Sequence, residues 1–170
     1  MPRPAEGDYA PLYENYVRLA TGDDVFTVLN RSWDQLGLWL GGIPEEKLSY
    51  FYAPGKWTVA QMLQHLIDSE RVFAYRAMCF ARGEKSSLPG FDENAYAERA
   101  TAEHRSLIAM KEELLALRKA TITLYNSFTR EDLAESGIAF GYRVTVNAMG
   151  YIMAGHIYHH QRIYEERYLA

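Results

Sequence analysis

Residues 58–83 read TVAQMLQHLIDSERVFAYRAMCFARG and form a long amphipathic pattern with a marked beginning and end. Thr58 can cap the first turn, and Gln61 stands where the glutamine of a capping box is expected. Gly83 provides a common type of C-terminal stop. We therefore predict a helix over residues 58–82, about 37 Å long at about 1.5 Å per residue.

The segment that follows this helix, residues 84–100, is too long to be a simple turn. It reads EKSSLPGFDENAYAERA and can span about 55 Å when extended. An antiparallel neighbour would need only a short connection, so we predict that the next helix, over residues 101–127, runs parallel to the helix over 58–82. The segment then crosses back along the bundle. It could also cover one mouth of the bundle and contribute to substrate selection, or it could only bridge the gap.

Two further amphipathic patterns complete a set of four helices. Residues 22–41, GDDVFTVLNRSWDQLGLWLG, predict the first helix, with Asp23 or Asp24 as its cap. The last helix begins near Thr145 and continues almost to the end of the sequence. Strand patterns are weak, and residues 137–146 predict only a short extended loop.

The order of these elements predicts the fold class. We expect an all-α protein, a four-helix bundle with a long crossover between helices two and three. A shorter helical piece around residues 8–19 would pack across one end. No composition change or repeat divides the chain, so we expect a single domain over residues 1–170.

Composition excludes several classes of function. The net charge of −4 and the pI near 5.7 leave no basic cluster for nucleic acid. The lone Cys79 excludes an internal disulfide and a cysteine-rich zinc site, and its position, about 20 Å along the helix from His65, makes it a predicted core residue. No apolar run approaches the length of a membrane span, and the first residues lack a signal-peptide pattern. We therefore expect a cytoplasmic protein with no membrane or nucleic-acid partner.

Three of the five histidines lie in GHIYHHQRIY, residues 155–164. His156 and His160 are one turn apart on a largely apolar helix face, so both can reach one ion, and His65 lies on a similar face of the second helix. Three neutral imidazoles plus water form an open coordination shell, for which zinc is the first expectation and nickel an alternative. The same spacing also fits hydrogen-bonded core histidines, and spacing alone leaves both interpretations open.

Other polar residues near these positions have weaker signals. His159 also shares a face with His156 and could replace His160, or it could lie between helices beside the ligands. Asp68 follows His65 by three residues and is a candidate for orienting an imidazole. His104 is predicted to be a solvated surface residue.

Four charged residues are candidates for assisting a reaction at the histidines. We predict that Glu70 and Glu166 are solvated helix charges. Arg76 and Arg167 continue the two inward-facing lines and would form ion pairs with glutamates, the favoured interpretation, or hold an anionic substrate. Neither pair has a local spacing that settles its role.

Three stretches together resemble the DinB/YfiT-like family of four-helix-bundle metalloproteins. They are KWTVAQMLQHLIDSE (56–70), FARGEKSSLPGFDENAY (80–96) and GHIYHHQRIYEERYL (155–169), and the resemblance extends from about residue 22 onward. It implies that the metal ligands are His65, His156 and His160. It also supports the crossover topology and implies a homodimer.

The family resemblance implies a class of chemistry rather than one reaction. Such proteins include transferases that use small thiols such as bacillithiol or mycothiol, as well as metal-dependent hydrolases. We therefore expect a metal-dependent enzyme with a small-molecule substrate such as a low-molecular-weight thiol. The alternatives are a non-catalytic metal- or small-molecule-binding module that responds to stress, and a structural protein whose histidines are core residues.

Overall fold

The computed structural model describes residues 1–169, and this part of the chain is predominantly helical. In chain order the helices are α1 Glu14–Leu19, α2 Val25–Gly41, α3 Val59–Ala81, α4 Glu93–Arg99, α5 Leu107–Asn126, α6 Arg130–Ala134 and α7 Val146–Ile163. Two short strands, β1 Ser136–Ala139 and β2 Tyr142–Thr145, form an antiparallel hairpin. The predicted all-α fold class is confirmed, and the extended loop predicted at 137–146 is this hairpin.

Helix caps account for most of the observed helix starts. The predicted capping box of α3 is present, since the Thr58 side chain accepts from the Gln61 backbone N–H and the Gln61 side chain accepts from the Thr58 backbone N–H. The predicted start of the third long helix at 101 is wrong. A 3₁₀ turn, Ala102–His104, comes first, and α5 begins only after Ser106, whose hydroxyl accepts from Ala109 N–H at 3.2 Å.

Contacts between helices fix their relative directions. Arg105, just before α5, donates to Gln64 at 2.7 Å, and Arg118 near the middle of α5 donates to Glu70 at 2.8 Å. Residue numbers therefore increase in the same direction along α3 and α5. The two helices are parallel, as the length of segment 84–100 predicted.

The crossover between α3 and α5 is anchored on the β hairpin. Leu88 N–H donates to Ile138 O at 2.9 Å, and Phe140 N–H donates to Leu88 O at 3.1 Å. The hairpin turn contains Phe140 and Gly141 with φ of 53° and 79°, a conformation that favours glycine and suits a tight hairpin. These contacts hold the extended part of the crossover at one end of the bundle, before α4 begins.

A polar layer divides the apolar core of the bundle in two. On α2, Leu29 belongs to one apolar cluster and Leu36 to the other, and the buried Ser32 lies between them. The other three long helices, α3, α5 and α7, also pass from one apolar cluster to the other at the level of Ser32. The buried polar residues at this level are Ser32, Ser69, Glu70, Arg118, Thr121 and His156.

An ion pair at the centre of this layer corrects one prediction. Glu70 is 3% exposed and not a solvated charge; it accepts from Arg118 at 2.8 Å and from the Thr121 hydroxyl at 2.6 Å. Arg118 also donates to Ser32 and to the Met153 carbonyl, so the pair joins all four long helices. The prediction failed because these partners come from distant parts of the chain.

The exposed charges behave as predicted. Glu166 is exposed and accepts from Arg162, one turn earlier, at 2.6 Å. His104 is exposed as well. Within residues 1–169, no helix is both long enough and apolar enough to cross a bilayer.

Candidate metal centre

Three imidazoles from two helices converge inside the bundle. His65 of α3 faces His156 of α7, with their Nε2 atoms 3.0 Å apart, and His160 Nε2 lies 3.1 Å from His156 Nε2. All three ligand atoms lie within 4.8 Å of one another. Ligands about 2.0–2.1 Å from a tetrahedral zinc ion would be about 3.3 Å apart. The observed cluster is therefore close to the arrangement that a single ion requires.

Hydrogen bonding alone leaves this cluster poorly satisfied. A ring nitrogen of a neutral imidazole carries either one proton or one lone pair, yet His156 Nε2 lies within about hydrogen-bond distance of two other Nε2 atoms. The three side chains are 9%, 5% and 7% exposed for His65, His156 and His160. One metal ion would accept a lone pair from each of the three imidazoles, so these residues fit a metal site.

Burial keeps the three rings in the form that binds metal. Burial, with a smaller contribution from His159, lowers the pKa of His65 to about 4. Burial and the neighbouring histidines hold the pKa values of His156 and His160 well below the ordinary value. All three imidazoles are therefore neutral near pH 7, and each has a lone pair on one ring nitrogen that can bind a metal.

A close contact between backbones sets the position of α1 over this cluster. A Cβ atom built on Gly155 would lie 1.8 Å from the Tyr16 carbonyl oxygen, so only glycine allows α1 to approach α7 this closely. As a result the Tyr16 ring packs edge-on against His156, with ring centroids 5.2 Å apart. Nothing in the sequence links Tyr16 to His156, and sequence reasoning missed this residue.

The histidine cluster forms part of the wall of a cavity of about 400 Å³. Aromatic rings surround the imidazoles: Trp57 lies 4.8 Å from His65, and Phe73 lies 5.7 Å from His156, measured between centroids. The remaining wall comes from α3, the N-terminal segment, the crossover and the hairpin. The full set of lining residues is Leu12, Tyr13, Tyr16, Trp57, His65, Ser69, Phe73, Arg76, Gly90, Phe91, Glu93, Phe140, His156, His159 and His160.

Sequence comparison places this arrangement in a known family. Residues 29–163 match the model of a family described as the DinB superfamily. The chain belongs to the DinB superfamily.

A relative and two solved structures show how far the likeness extends. A protein of Geobacillus thermodenitrificans (strain NG80-2) named "Putative metal-dependent hydrolase" is 29% identical over 99 residues, which is 58% of this chain and 56% of that relative. The match thus spans little more than half of the relative's length. YfiT from Bacillus subtilis, described as a probable metal-dependent hydrolase with an unusual four-helix bundle topology, aligns with a TM-score of 0.69 at 20% identity over 96% of this chain and 91% of its own. A mycothiol-dependent maleylpyruvate isomerase aligns with a TM-score of 0.68 at 10% identity, over 81% of this chain and 58% of its own. These two structures share the DinB fold with this chain.

Two of the predicted neighbours of the cluster have definite positions in this DinB-superfamily chain. His159 is half-buried; its Nδ1 lies 3.3 Å from Asn15 Nδ2, and His160 rather than His159 completes the cluster. Asp68 does not reach the imidazoles. It is half-buried and accepts from Gln64 Nε2 at 3.0 Å on its own helix.

The two arginines also differ from the favoured prediction. Arg76 is 3% exposed and donates to Pro89 O at 2.7 Å, and among residues 1–169 no carboxylate oxygen lies within 4.0 Å of it. The expected ion pair with a glutamate is therefore wrong for Arg76. Arg167 is exposed and does not face inward, because the last turn of the chain widens into a π-helical turn, Tyr164–Tyr168.

The crossover segment and Cys79 are the last residues whose roles were predicted from the sequence. Gly90 and Phe91 of segment 84–100, together with Glu93, form part of the cavity wall, so the segment does more than bridge parallel helices. Cys79 is half-buried against the apolar core and lies outside the cavity lining, in agreement with the predicted packing role.

Proposed function

We propose that this DinB-superfamily protein is a metal-dependent enzyme acting on a small molecule in the cavity. His65, His156 and His160 would hold one divalent transition metal, with zinc as the first expectation and nickel as the alternative. The observation that carries the proposal is the convergence of three buried imidazole Nε2 atoms at the wall of a cavity large enough for a small substrate.

The protein's contribution would be to position the ligands and to shape the space around them. Three histidine ligands leave coordination positions open on the cavity side, which is the pattern of catalytic rather than structural sites. A divalent metal in such a site lowers the pKa of a water or thiol that it binds and so supplies a nucleophile near neutral pH. Trp57, Phe73 and Tyr16 pack against the imidazoles, restrict their rotation and limit access of bulk water.

Two reaction classes fit this site. The name of the Geobacillus relative favours hydrolysis, and the mycothiol-dependent neighbour favours transfer of a small thiol to an electrophile. Both need the same three ligands and an open cavity. We propose them as the candidate activities of this protein.

Turnover by matched variants tests the proposal. Wild-type protein loaded with zinc or nickel is assayed with p-nitrophenyl acetate, and with small thiols plus 1-chloro-2,4-dinitrobenzene. We expect turnover in one assay, its loss in His156→Ala with helical content retained, and full activity in His104→Ala, which removes an exposed histidine. Turnover that survives His156→Ala would contradict the proposal. Bound metal without turnover in any assay would also contradict it, and would favour a non-catalytic binding module.

We also propose that the protein is a homodimer, as the family resemblance implies. Leu38 of α2 and Ile108 of α5 are large apolar side chains that are 72% and 66% exposed, and a subunit contact would cover them. Light scattering coupled to size exclusion should give the mass of two chains. The mass of one chain would contradict the dimer without affecting the proposed metal site.

A further inference from the structure

Arg76 is a buried cation at the edge of the cavity, and the described chain supplies no anion for it. The side chain is 3% exposed, and the hydrogen bond found for it goes to the Pro89 carbonyl at 2.7 Å. Within residues 1–169 its guanidinium has no carboxylate oxygen within 4.0 Å. Buried charges in proteins are normally paired, because removing an ion from water costs several kcal/mol.

Groups near Arg76 leave this charge available to a ligand. Glu93 also lines the cavity, but it is exposed and forms no ion pair with Arg76. Burial raises the pKa of Tyr13 more than the Arg76 charge lowers it, so this phenol beside the guanidinium keeps its proton and can donate.

A second donor lies between Arg76 and the histidine cluster. Ser69 is completely buried, lines the cavity, and its hydroxyl has no hydrogen-bond partner among residues 1–169. His65, Ser69, Phe73 and Arg76 are spaced by four, four and three residues, so they lie along one face of α3. The cavity thus has imidazoles at one end, a cation at the other, and an unused hydroxyl between them.

We propose that Arg76 binds an anionic group, best a carboxylate, of the small molecule whose reacting end lies at the histidine cluster. This deepens the proposed function and rests on its metal site. The planar guanidinium can donate two parallel hydrogen bonds to a carboxylate, with Tyr13 as a further donor. From residue 65 to residue 76, α3 rises on the order of 16 Å, and the long arginine side chain spans part of that distance. The ligand must therefore be extended, with several atoms between its two ends.

A series of thiols of increasing length measures this spacing directly. The protein is loaded with Co(II) and titrated calorimetrically with ω-mercaptocarboxylates and with ω-mercaptoalcohols of equal length. The wild type should bind the carboxylate about tenfold more tightly than its alcohol at a preferred chain length. Arg76→Gln should abolish that difference and leave the affinity for the alcohols unchanged. Arg99→Gln, which removes an exposed arginine outside the cavity, should keep it.

Each outcome separates the anion site from the metal site. Equal affinity for carboxylates and alcohols at every length in the wild type would overturn the role of Arg76. Equal weakening of both series in Arg76→Gln would also overturn it, since that result shows a structural role through Pro89. The thiolate-to-Co(II) absorption band reports the metal site independently. A carboxylate preference that depends on Arg76 but lacks this band would support the anion site and contradict thiol binding at the metal.

If Arg76→Gln does not fold, Arg76→Lys retains the charge and must retain a reduced preference for carboxylates. Complete loss of that preference in a folded lysine variant would overturn the proposal.

Discussion

His65, His156 and His160 occupy positions where adjacent turns of α3 and α7 bury apolar side chains. Met62 and Leu66 flank the first histidine, and Met153 and Ile157 flank His156; all four are at most 1% exposed. A leucine at any of the three positions would pack without needing a hydrogen bond. Neutral imidazoles that point their Nε2 atoms at one another are costly there unless a shared ligand uses their lone pairs.

Substitution of Glu70 should destabilise the fold far more than substitution of an exposed glutamate. Glu70→Ala leaves the fully buried Arg118 without its anion, which should lower the free energy of unfolding by about 3–5 kcal/mol. Glu166→Ala, which removes an exposed partner of Arg162, should cost less than about 1 kcal/mol. Urea unfolding followed by circular dichroism measures both. Similar losses in the two variants would show that the central ion pair contributes little.

At the residue scale, the sequence was sufficient to predict where a side chain lies when its position depends on local helical spacing. His156 and His160 are one turn apart, and that spacing was sufficient to place them on one face. Glu70 and Arg76 were misjudged because the environment of each comes from elements remote in sequence, α5 for Glu70 and the crossover for Arg76. Local periodicity contains no information about such partners.

At the scale of elements, the contact between α1 and α7 depends on one glycine. Gly155→Ala would place a methyl group against the Tyr16 carbonyl, a backbone atom that can move only if α1 moves. We expect a loss of about 1–3 kcal/mol in the free energy of unfolding and faster amide exchange in α1. Gly37→Ala on α2 is the matched control, because its Cβ meets nothing within 4 Å and it should stabilise by about 0.5–1 kcal/mol. Equal effects in the two variants would contradict the close approach.

The N-cap of α2 should contribute a pH-dependent part of the stability. Hydrogen bonds from the Thr27 hydroxyl and backbone N–H lower the pKa of Asp24 below its ordinary value. Because the folded-state pKa is the lower one, this stabilisation is present above the unfolded pKa of about 3.9 and is lost as pH falls through the folded value. Between about pH 6 and about pH 2.5, the wild type should therefore lose more thermal stability than Asp24→Asn, which keeps a capping side chain without the charge. Parallel losses in the two proteins would show that the aspartate is not perturbed.

Helix boundaries were predictable where a cap precedes an apolar pattern. Thr58 and Asp24 mark α3 and α2 in the sequence, and both caps are present. The start of α5 was placed too early because residues 101–106 contain helix-compatible residues, whereas Thr101 adopts a left-handed conformation with φ of 47° and interrupts the helix. The sequence around Thr101 contains no pattern that predicts this left-handed backbone conformation.

At the scale of the whole molecule, the length of one connection was enough to predict the topology. Segment 84–100 is long because α3 and α5 are parallel, and the same segment supplies part of the cavity wall. What the sequence did not show is the cavity itself, which is enclosed jointly by the N-terminal residues, the crossover and the hairpin. None of these segments has a periodic pattern that relates it to the histidines.

The measurement that tests the central claim most directly is the metal content of three purified, untagged proteins. Wild type, His65→Ala and His104→Ala are incubated with zinc or nickel, desalted, and analysed for metal and for helical content. The proposed site predicts about one ion per chain in the wild type and in His104→Ala, and none in a fully helical His65→Ala. Absence of metal from the wild type, or its retention by His65→Ala, would contradict the proposal that these three histidines form a metal site.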